Sequence, residues 1–536
     1  MHVLHFKKHA LHFEKIGYAY KTGYAFEKQA MPAYKTVRCF LRKRKRAVIH
    51  LQAIGAYNRV NRFEKGGFML TPTLLALLGF LAMIGIIAVL MKNWTTPALA
   101  FLSVAVVVGA ILLVTGTADL KTIGNFTKAG ISSVQSTAIL FIFSVLFFGI
   151  MTDAGMFDVI INALTKRVGN NVVGVCVIAC LIAMIGHLDG GGASTFLITV
   201  PAMYPVFKKL KIRAEVLMLI CVTAMGVMNL LPWGGPTMRA ASILSGFKEI
   251  YPDGYEANRL WKEIIPMQFV GLVVALFTAV FWGIVEKKNG AGLNSTRVID
   301  YGDEFEKKAA AATSENTLAR PKNFVLNIVI TLAVIAALVW APIPTNVTFM
   351  IGCVIALFVN YPGVKMQKQI IKSHADSAMM MATTIIGAGV FLGILQGNFL
   401  DEAGKAVKDS NIMTQMALMI AHGIPQNMAR FLPIIIGVLS VPLAIFFSTD
   451  AYFYGILPVL ITVGNEFGVN PAHTAIAMVV CRNCGAFISP CVPATFLGIG
   501  LANVDIKDHI KFSFLWVWGV SIICLVTGII LGIVRF

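Results

Sequence analysis

The chain reads Leu231-Pro-Trp-Gly-Gly-Pro-Thr237 in the middle of a long apolar region. A similar stretch, Ser489-Pro-Cys-Val-Pro-Ala-Thr495, occurs in the C-terminal part of the chain, and Pro493 stands 257 positions after Pro236. Proline lacks a backbone N–H group and glycine is unfavourable inside a helix, so both stretches are expected to interrupt helices. In apolar surroundings, the backbone groups that an interruption frees must find another binding partner.

A second pair of interruptions has the same spacing. The N-terminal member reads Gly190-Gly-Gly-Ala-Ser-Thr-Phe-Leu-Ile-Thr-Val-Pro201, the C-terminal member reads Ser448-Thr-Asp-Ala-Tyr-Phe-Tyr-Gly-Ile-Leu-Pro458, and their final prolines are again 257 positions apart. Internal symmetry with interrupted segments at corresponding positions is typical of secondary transporters, whose substrate sites lie at those segments. We therefore expect one site formed by four interrupted segments, which are 187–195, 231–237, 446–454 and 485–495.

Composition indicates a membrane protein. Of the 536 residues, 57% are hydrophobic and only 13% are charged, whereas a soluble domain has about 25% charged residues. Several apolar stretches are long enough, or nearly so, to cross a bilayer as helices. These stretches are Pro72–Met91, Pro97–Thr115, Val134–Met151, Ile264–Val285, Phe324–Trp340 and Phe512–Val534. Because they are too long for barrel strands, we expect an all-α polytopic membrane protein with roughly 10–12 transmembrane helices.

Charge and polarity divide the chain into four parts. Residues 1–68 carry 15 Lys and Arg residues against three Glu, and we interpret them as a basic, disordered extension on the cytoplasmic side, with Met69 as a second candidate start. The basic charge could also serve nucleic-acid binding, but no folded reading domain accompanies it. Residues 286–323 are too polar to form a core and are expected to be a hydrophilic cytoplasmic linker. This leaves transmembrane repeats at 69–285 and 324–536.

Two acidic residues stand in the interruptions, and each allows two interpretations. A charged side chain at the bilayer centre costs about 2.5–3.5 kcal/mol, so Asp189 and Asp450 are candidates for binding substrate or a transported metal. Asp189 could instead cap the helix that follows it. Asn229 and Asn483 could bind a ligand or only satisfy freed backbone groups.

The cationic candidates are Arg482, which could hold a carboxylate with two parallel hydrogen bonds, and Arg239, which is the weaker one. Either could instead pair with an acid elsewhere in the chain. Cys481-Arg-Asn-Cys484 has the spacing of a metal or redox motif but lacks further ligands, so we interpret its cysteines as small buried hydrophobes. No permanently bound cofactor is expected. The complete candidate site consists of Asp189, Gly190, Gly191, Gly192, Ser194, Thr195, Asn229, Gly234, Gly235, Thr237, Ser448, Thr449, Asp450, Arg482, Asn483, Ser489 and Thr495.

Four motifs resemble the citrate–metal/proton symporter family of bacteria. They are Asp189-Gly-Gly-Gly-Ala-Ser-Thr-Phe-Leu-Ile-Thr, Asn229-Leu-Leu-Pro-Trp-Gly-Gly-Pro-Thr-Met-Arg-Ala-Ala241, Phe446-Phe-Ser-Thr-Asp-Ala-Tyr-Phe-Tyr-Gly-Ile-Leu-Pro458 and Val504-Asp-Ile-Lys-Asp-His-Ile-Lys-Phe512. The resemblance covers roughly Met69 to Phe536. It implies inverted-topology repeats with re-entrant hairpins, and location in the bacterial plasma membrane. It also implies uptake of a citrate complex with a divalent cation, such as Mg²⁺ or Ca²⁺, together with protons.

The sequence departs from the family pattern at two places. Gly191 stands where the family often has a second acid, and the sequence around Arg482 differs from the usual sequence of the family. Both changes make the site more positive and leave room for another di- or tricarboxylate without metal. A cation/proton antiporter is a further alternative, and an intramembrane aspartyl enzyme using Asp189 and Asp450 is the alternative from a different class. No ATP-binding motif is present, and a homodimer is left open.

Overall fold

The computed structural model of the protein describes residues 70–535, except for 93, 167, 168, 298, 300–316, 342, 402 and 424. The basic extension predicted for 1–68 therefore lies outside the described residues, as does Met69. The same holds for the central part of the linker predicted at 286–323.

The described part of the chain is helical, with one isolated β-bridge between Leu400 and Ala406. Four of the helices begin at Asn or Asp residues whose side chains accept a hydrogen bond from the first turn, as helix starts favour. In the first half the helices are α1 Pro72–Met91, α2 Pro97–Val114, α3 Leu120–Asp153, α4 Met156–Lys166, α5 Val172–Gly186, α6 Gly192–Lys209, α7 Ala214–Met228, α8 Gly235–Gly246 and α9 Ala257–Lys288.

The second half repeats this order of helices with small differences. The α-helices are α10 Phe324–Trp340, α11 Thr345–Asn360, α12 Val364–Gln396, α13 Ile412–Gly423, α14 Gln426–Ala429, α15 Leu432–Phe446, α16 Leu457–Glu466, α17 Pro471–Cys484, α18 Pro493–Ala502 and α19 Ile506–Ile530. A π-helical segment, Ala451–Ile456, leads into α16. Short 3₁₀ turns occur at His187–Asp189, Pro321–Asn323 and Ala486–Ile488.

The fold class predicted from the sequence is confirmed. Eight described helices are long and apolar enough to cross a membrane, and four shorter apolar helices accompany them. Two apolar stretches predicted from the sequence, Pro72–Met91 and Phe324–Trp340, have the bounds of α1 and α10. The 257-residue spacing also recurs between elements, since α7 begins at residue 214 and α17 at residue 471.

The two longest corresponding helices, α3 and α12, pack against each other along much of their length. Glycines permit this close approach: a methyl group on Gly130 would overlap the backbone oxygen of Gly389, and one on Gly393 would overlap that of Phe126. Small residues at helix contacts are the usual device for close packing in lipid. The α3–α12 pair contacts the interrupted segments through α8 and the 187–189 turn.

The polar run that begins at Glu286 is in part helical. Helix α9 continues to Lys288, and the carboxylate of Glu286 is fully buried between Arg213 and Arg297. The first residues of the predicted linker are therefore tied to the turn between α6 and α7, where the backbone N–H of Gly292 also donates to the oxygen of Leu210. The division of the chain at 286–323 stays a prediction.

Candidate functional site

The first interruption separates α5 from α6. After the 3₁₀ turn His187–Asp189, Gly190 adopts a left-handed conformation with φ of 72°, which glycine accepts without strain. The carboxylate of Asp189 then accepts hydrogen bonds from the backbone N–H of Gly191, at 2.7 Å, and from the hydroxyl of Ser194, at 2.5 Å. Asp189 therefore has hydrogen-bond partners within its own turn, while the N-cap position of α6 is Gly191, and Asp189 as a residue is half-buried.

A buried histidine supports this interruption from behind. The Nδ1 atom of His187 lies 2.7 Å from the hydroxyl oxygen of Thr195, and the ring packs edge-on against Phe487. The hydroxyl of Thr195 also donates to the backbone oxygen of Gly191. The hydroxyl of Thr195 is therefore already hydrogen-bonded within the first interruption.

The second interruption separates α7 from α8. Helix α7 ends at Met228, and the chain turns through Asn229 to Gly234 before α8 begins at Gly235, with Pro236 in its first turn. The indole N–H of Trp233 donates to the backbone oxygen of Leu188 at 2.7 Å, which joins this interruption to the first one. A side chain at Gly234 would overlap the backbone oxygen of Asn229, so this turn requires glycine.

The third interruption lies between α15 and α16. Ser448 caps the turn by accepting from the backbone N–H of Ala451, and the π-helical segment follows. Asp450 points to the other half of the chain, where its Oδ1 accepts from Nε of Arg239 at 2.7 Å. Within the described part of the chain, the side chain of Thr449 makes no hydrogen bond.

The fourth interruption follows α17. This helix ends at Cys484, the 3₁₀ turn Ala486–Ile488 comes next, and the hydroxyl of Ser489 accepts from the backbone N–H of Cys491. Cys481 and Cys484 are buried free thiols that contact backbone oxygens of Ser521 and Val480.

The four interruptions come together. The amide of Asn229 donates to the side-chain oxygen of Asn483 at 3.3 Å, which joins the corresponding segments of the two halves. Gly192 is packed so closely that a methyl group there would overlap the ring of Phe487 and touch Ala494. This convergence agrees with the arrangement predicted from the two pairs of interruptions.

Arg482 is a buried cation with an incomplete set of partners. Its side chain is 0% exposed, one Nη donates to the backbone oxygen of Phe447 at 3.3 Å, and the ring of Tyr452 lies 6.0 Å from the guanidinium carbon. The Nε atom and the other Nη have no hydrogen-bond partner among the described residues. Burying an unpaired ion costs several kcal/mol, so these donors are suited to an incoming anion.

Two other buried side chains, one in α17 and one in the fourth interruption, also have donors without hydrogen-bond partners among the described residues. The amide nitrogen of Asn483 and the hydroxyl of Thr495 are buried without partners among the described residues, and Asn483 follows Arg482 directly. Unpaired buried donors are rare in folded proteins and point to a ligand or a bound water. Each of these donors has the chemistry to bind a carboxylate oxygen.

Arg239 has a larger role than its sequence predicted. Both partners of the Arg239–Asp450 pair are largely buried, with side-chain exposures of 6% and 14%. Sequence reasoning ranked Arg239 as the weaker cationic candidate, although two opposite charges in apolar segments are a signal that they pair. The pair links α8 to the third interruption and holds Asp450 in place.

The two acids predicted as metal ligands have separate partners, Asp189 within its own turn and Asp450 on Arg239. Within the described ranges, no group of three or more His, Cys, Asp and Glu side chains could hold a metal ion. The described part of the site therefore has donors that suit a carboxylate, but no cluster of side chains that could hold a metal ion by themselves.

Comparison with known proteins gives the family. Residues 62–481 match the family model described as citrate transporter, CitMHS. The chain belongs to this citrate transporter family. Two relatives from Bacillus subtilis (strain 168) are each 32% identical: a citrate transporter over 463 residues, and an Mg(2+)/citrate complex secondary transporter over 459 residues. Each alignment covers 86% of this chain, and 100% and 99% of the respective relatives.

A solved structure agrees with the fold. The YdaH transporter of Alcanivorax borkumensis, whose topology is described as unusual, superposes with a TM-score of 0.52 at 15% sequence identity, covering 82% of this chain and 98% of that one. Family and apolar helices together identify this member as a multi-pass membrane transport protein. The resemblance in the interruption motifs is thus confirmed at the level of the family.

Proposed function

We propose that this family member is a secondary transporter that moves citrate, as a complex with a divalent cation and coupled to protons, across the bacterial plasma membrane. Membership of the citrate transporter family and the names of the two Bacillus relatives support this substrate. The observation that carries the proposal is the guanidinium of Arg482, which is fully buried and has two nitrogens without partners among the described residues.

The donors around Arg482 suit a carboxylate. A guanidinium can donate two parallel hydrogen bonds to one carboxylate, and such charged pairs are stronger than neutral hydrogen bonds. The amide of Asn483 and the hydroxyl of Thr495 could serve a second carboxylate or hydroxyl group of citrate. We assign Arg482 as the main anchor of the substrate, with the interrupted helix ends completing its surroundings.

The divalent cation is transported as part of the substrate. Citrate itself supplies carboxylate oxygens, which Mg²⁺ and Ca²⁺ prefer as ligands, and the complex carries less charge than free citrate. We assign Asp189 to the cation side of the substrate, since it is an acid of the first interruption and is half-buried. A cation that is held mainly by citrate agrees with a site that has no cluster of three metal-binding side chains among the described residues.

The test is uptake of labelled citrate into proteoliposomes that contain the purified protein. We expect uptake to depend on Mg²⁺ or Ca²⁺, and to increase when the outside is more acidic than the inside. Empty liposomes and liposomes with the Arg482→Gln variant serve as controls. Absence of citrate uptake and of citrate inhibition under every cation condition would refute the substrate assignment.

Transport of a di- or tricarboxylate without metal is the second candidate. Gly191 occupies the position where the family often has another acid, and Asp450 is already paired with Arg239. This candidate predicts uptake of citrate, or of a smaller carboxylate, that persists when EDTA removes all divalent cations. The same proteoliposomes separate the two candidates in one experiment.

A further inference from the structure

A hydrogen-bonded His–Asp pair lies outside the four interruptions and connects the two long helices. Nε2 of His374 on α12 lies 2.9 Å from Oδ2 of Asp153, the last residue of α3. The side chains are 21% and 19% exposed, so water can reach the pair from one side. The proposed substrate site uses neither residue.

The imidazole of His374 packs closely against α3. A methyl group at Gly149 would overlap the ring of His374, so glycine at this position makes the room that the ring occupies. Gly149 is one helical turn before Asp153, and the ring therefore lies along α3 with its Nε2 directed at the carboxylate. The position of the imidazole is set by packing and by a hydrogen bond.

His374 is linked to the first interruption through α3. Its ring packs on Gly149 of α3, and the same helix contacts the 187–189 turn. Helix α3 therefore lies between the imidazole and a segment of the substrate site.

Among the described residues, Asp153 faces this imidazole from α3, while Lys372 and Asp376 on its own helix are exposed. Beyond Asp153, the guanidinium of Arg320 stacks on the ring of Tyr361. Histidine is the side chain whose ordinary pKa allows it to gain and lose a proton near neutral pH.

We propose that His374, held by Asp153, is the residue that carries the proton during transport. The inference rests on the proposed proton-coupled function. An N–H bond forms when a proton arrives from water on one side of the membrane, and the same bond breaks when the proton leaves on the other side. Asp153 neutralises the charge of the imidazolium while the proton is bound.

The test compares two modes of transport by proteoliposomes. Exchange of internal for external citrate needs no net proton movement, whereas accumulation driven by an imposed pH gradient does. We expect His374→Gln to retain citrate exchange at the wild-type rate within about twofold and to lose at least tenfold in gradient-driven accumulation. Asp153→Asn should show the same split to a smaller extent. His473→Gln, at the start of α17, is the matched control and should retain both modes.

The outcomes separate this inference from the proposed function. If the wild-type protein exchanges citrate but ignores a pH gradient, proton coupling itself fails. If the wild type responds to the gradient and His374→Gln responds equally, His374 does not carry the proton and the proposed function stands. Equal losses of exchange and accumulation in both His374→Gln and Asp153→Asn assign the pair a structural role and overturn the inference.

Discussion

Arg482 sits at the end of α17 with its guanidinium out of solvent and one hydrogen bond to a backbone oxygen. Replacing a buried ion by an apolar side chain of similar volume is often stabilising, because the desolvation cost disappears. We therefore expect Arg482→Met to raise the melting temperature without citrate by roughly 1–4 °C, since such replacements stabilise by about 1–4 kcal/mol and a chain of this size shifts by about 1 °C per kcal/mol. The same change should abolish citrate uptake. Thermal unfolding in detergent and uptake by proteoliposomes measure the two effects.

Two further variants make this prediction specific. Arg482→Lys retains the charge but not the planar pair of donors, so the KM for citrate should rise by about 10–100-fold, the loss of one or two charged hydrogen bonds. Arg259→Met changes an arginine that is 59% exposed and should alter neither property. Wild-type KM in Arg482→Met would remove Arg482 from the substrate site.

The Arg239–Asp450 pair predicts a different pattern. Removing one member of a buried ion pair costs about 3–5 kcal/mol because the other charge is left unpaired. Asp450→Asn should therefore lower stability and abolish uptake while the protein still reaches the membrane. The double variant Arg239→Gln/Asp450→Asn should recover most of the stability and none of the uptake. Recovery of uptake in the double variant would mean that the pair only supports the fold.

At the scale of elements, the interruptions require close contact between segments from the two halves. Gly192 starts α6 and lies against Phe487 and Ala494, which flank the start of α18. Gly192→Ala should separate these segments and reduce citrate uptake by at least tenfold, as measured in proteoliposomes with equal amounts of protein.

Gly124→Ala is the matched control for that substitution. Gly124 is inside α3, and nothing lies within reach of an added methyl group. Alanine there should stabilise the helix by about 0.5–1 kcal/mol, because it loses less conformational freedom than glycine. Uptake should not change. Equal effects of the two substitutions would show that helix propensity, and not contact between the segments, explains the loss.

At the scale of the whole molecule, a cavity of about 300 Å³ opens at one end of the helices that leave the site. Helix α8 runs from the second interruption to this cavity, and α16 runs there from the third. Its lining includes Ala129, Ser133, Gly246, Lys248, Glu249, Gln396, Asn398, Asn411, Thr462 and Glu466. We expect this cavity to be the entrance on one side of the membrane.

We expect the cavity and the polar segment after α9 to lie on opposite sides of the bilayer. Helix α9 begins shortly after Tyr255, which hydrogen-bonds to Ser245 near the cavity, and it continues for 32 residues to Lys288. At 1.5 Å per residue this helix is about 48 Å long, more than the roughly 30 Å of a bilayer core. If 286–323 is cytoplasmic, as the sequence predicts, the cavity opens to the outside.

Thiol labelling of intact cells tests this orientation. With Cys39 and Cys491 replaced by Ser, we expect Ala129→Cys to react with a membrane-impermeant thiol reagent in intact cells. Asn294→Cys, in the exposed segment after α9, should react only after permeabilisation. External citrate should slow the labelling of Ala129→Cys. The opposite order of reactivity would reverse the orientation.

Much of this arrangement was predictable from local sequence. An unbroken apolar stretch as long as the bilayer core is thick identifies a span, and a cluster of glycines and prolines indicates an interruption. A single proline does not, since Pro201 and Pro266 lie inside α6 and α9. The ends of α1 and α10 and the meeting of the four interruptions follow from these features. The linker boundary predicted at Glu286 shows the limit of prediction from local sequence. The polar residues that begin there continue α9, because Arg213 and Arg297 pair with the buried carboxylate of Glu286.

The sequence by itself determined that this protein is a helical membrane protein with two pairs of interruptions, because composition and backbone chemistry act locally. Only the tertiary structure decided which charges are paired. Asp450 meets Arg239 from 211 positions away and His374 meets Asp153 from 221, while Arg482 retains donors without partners among the described residues. Such pairs depend on how helices pack, since an ion in lipid is stable only beside a partner that the chain brings from afar.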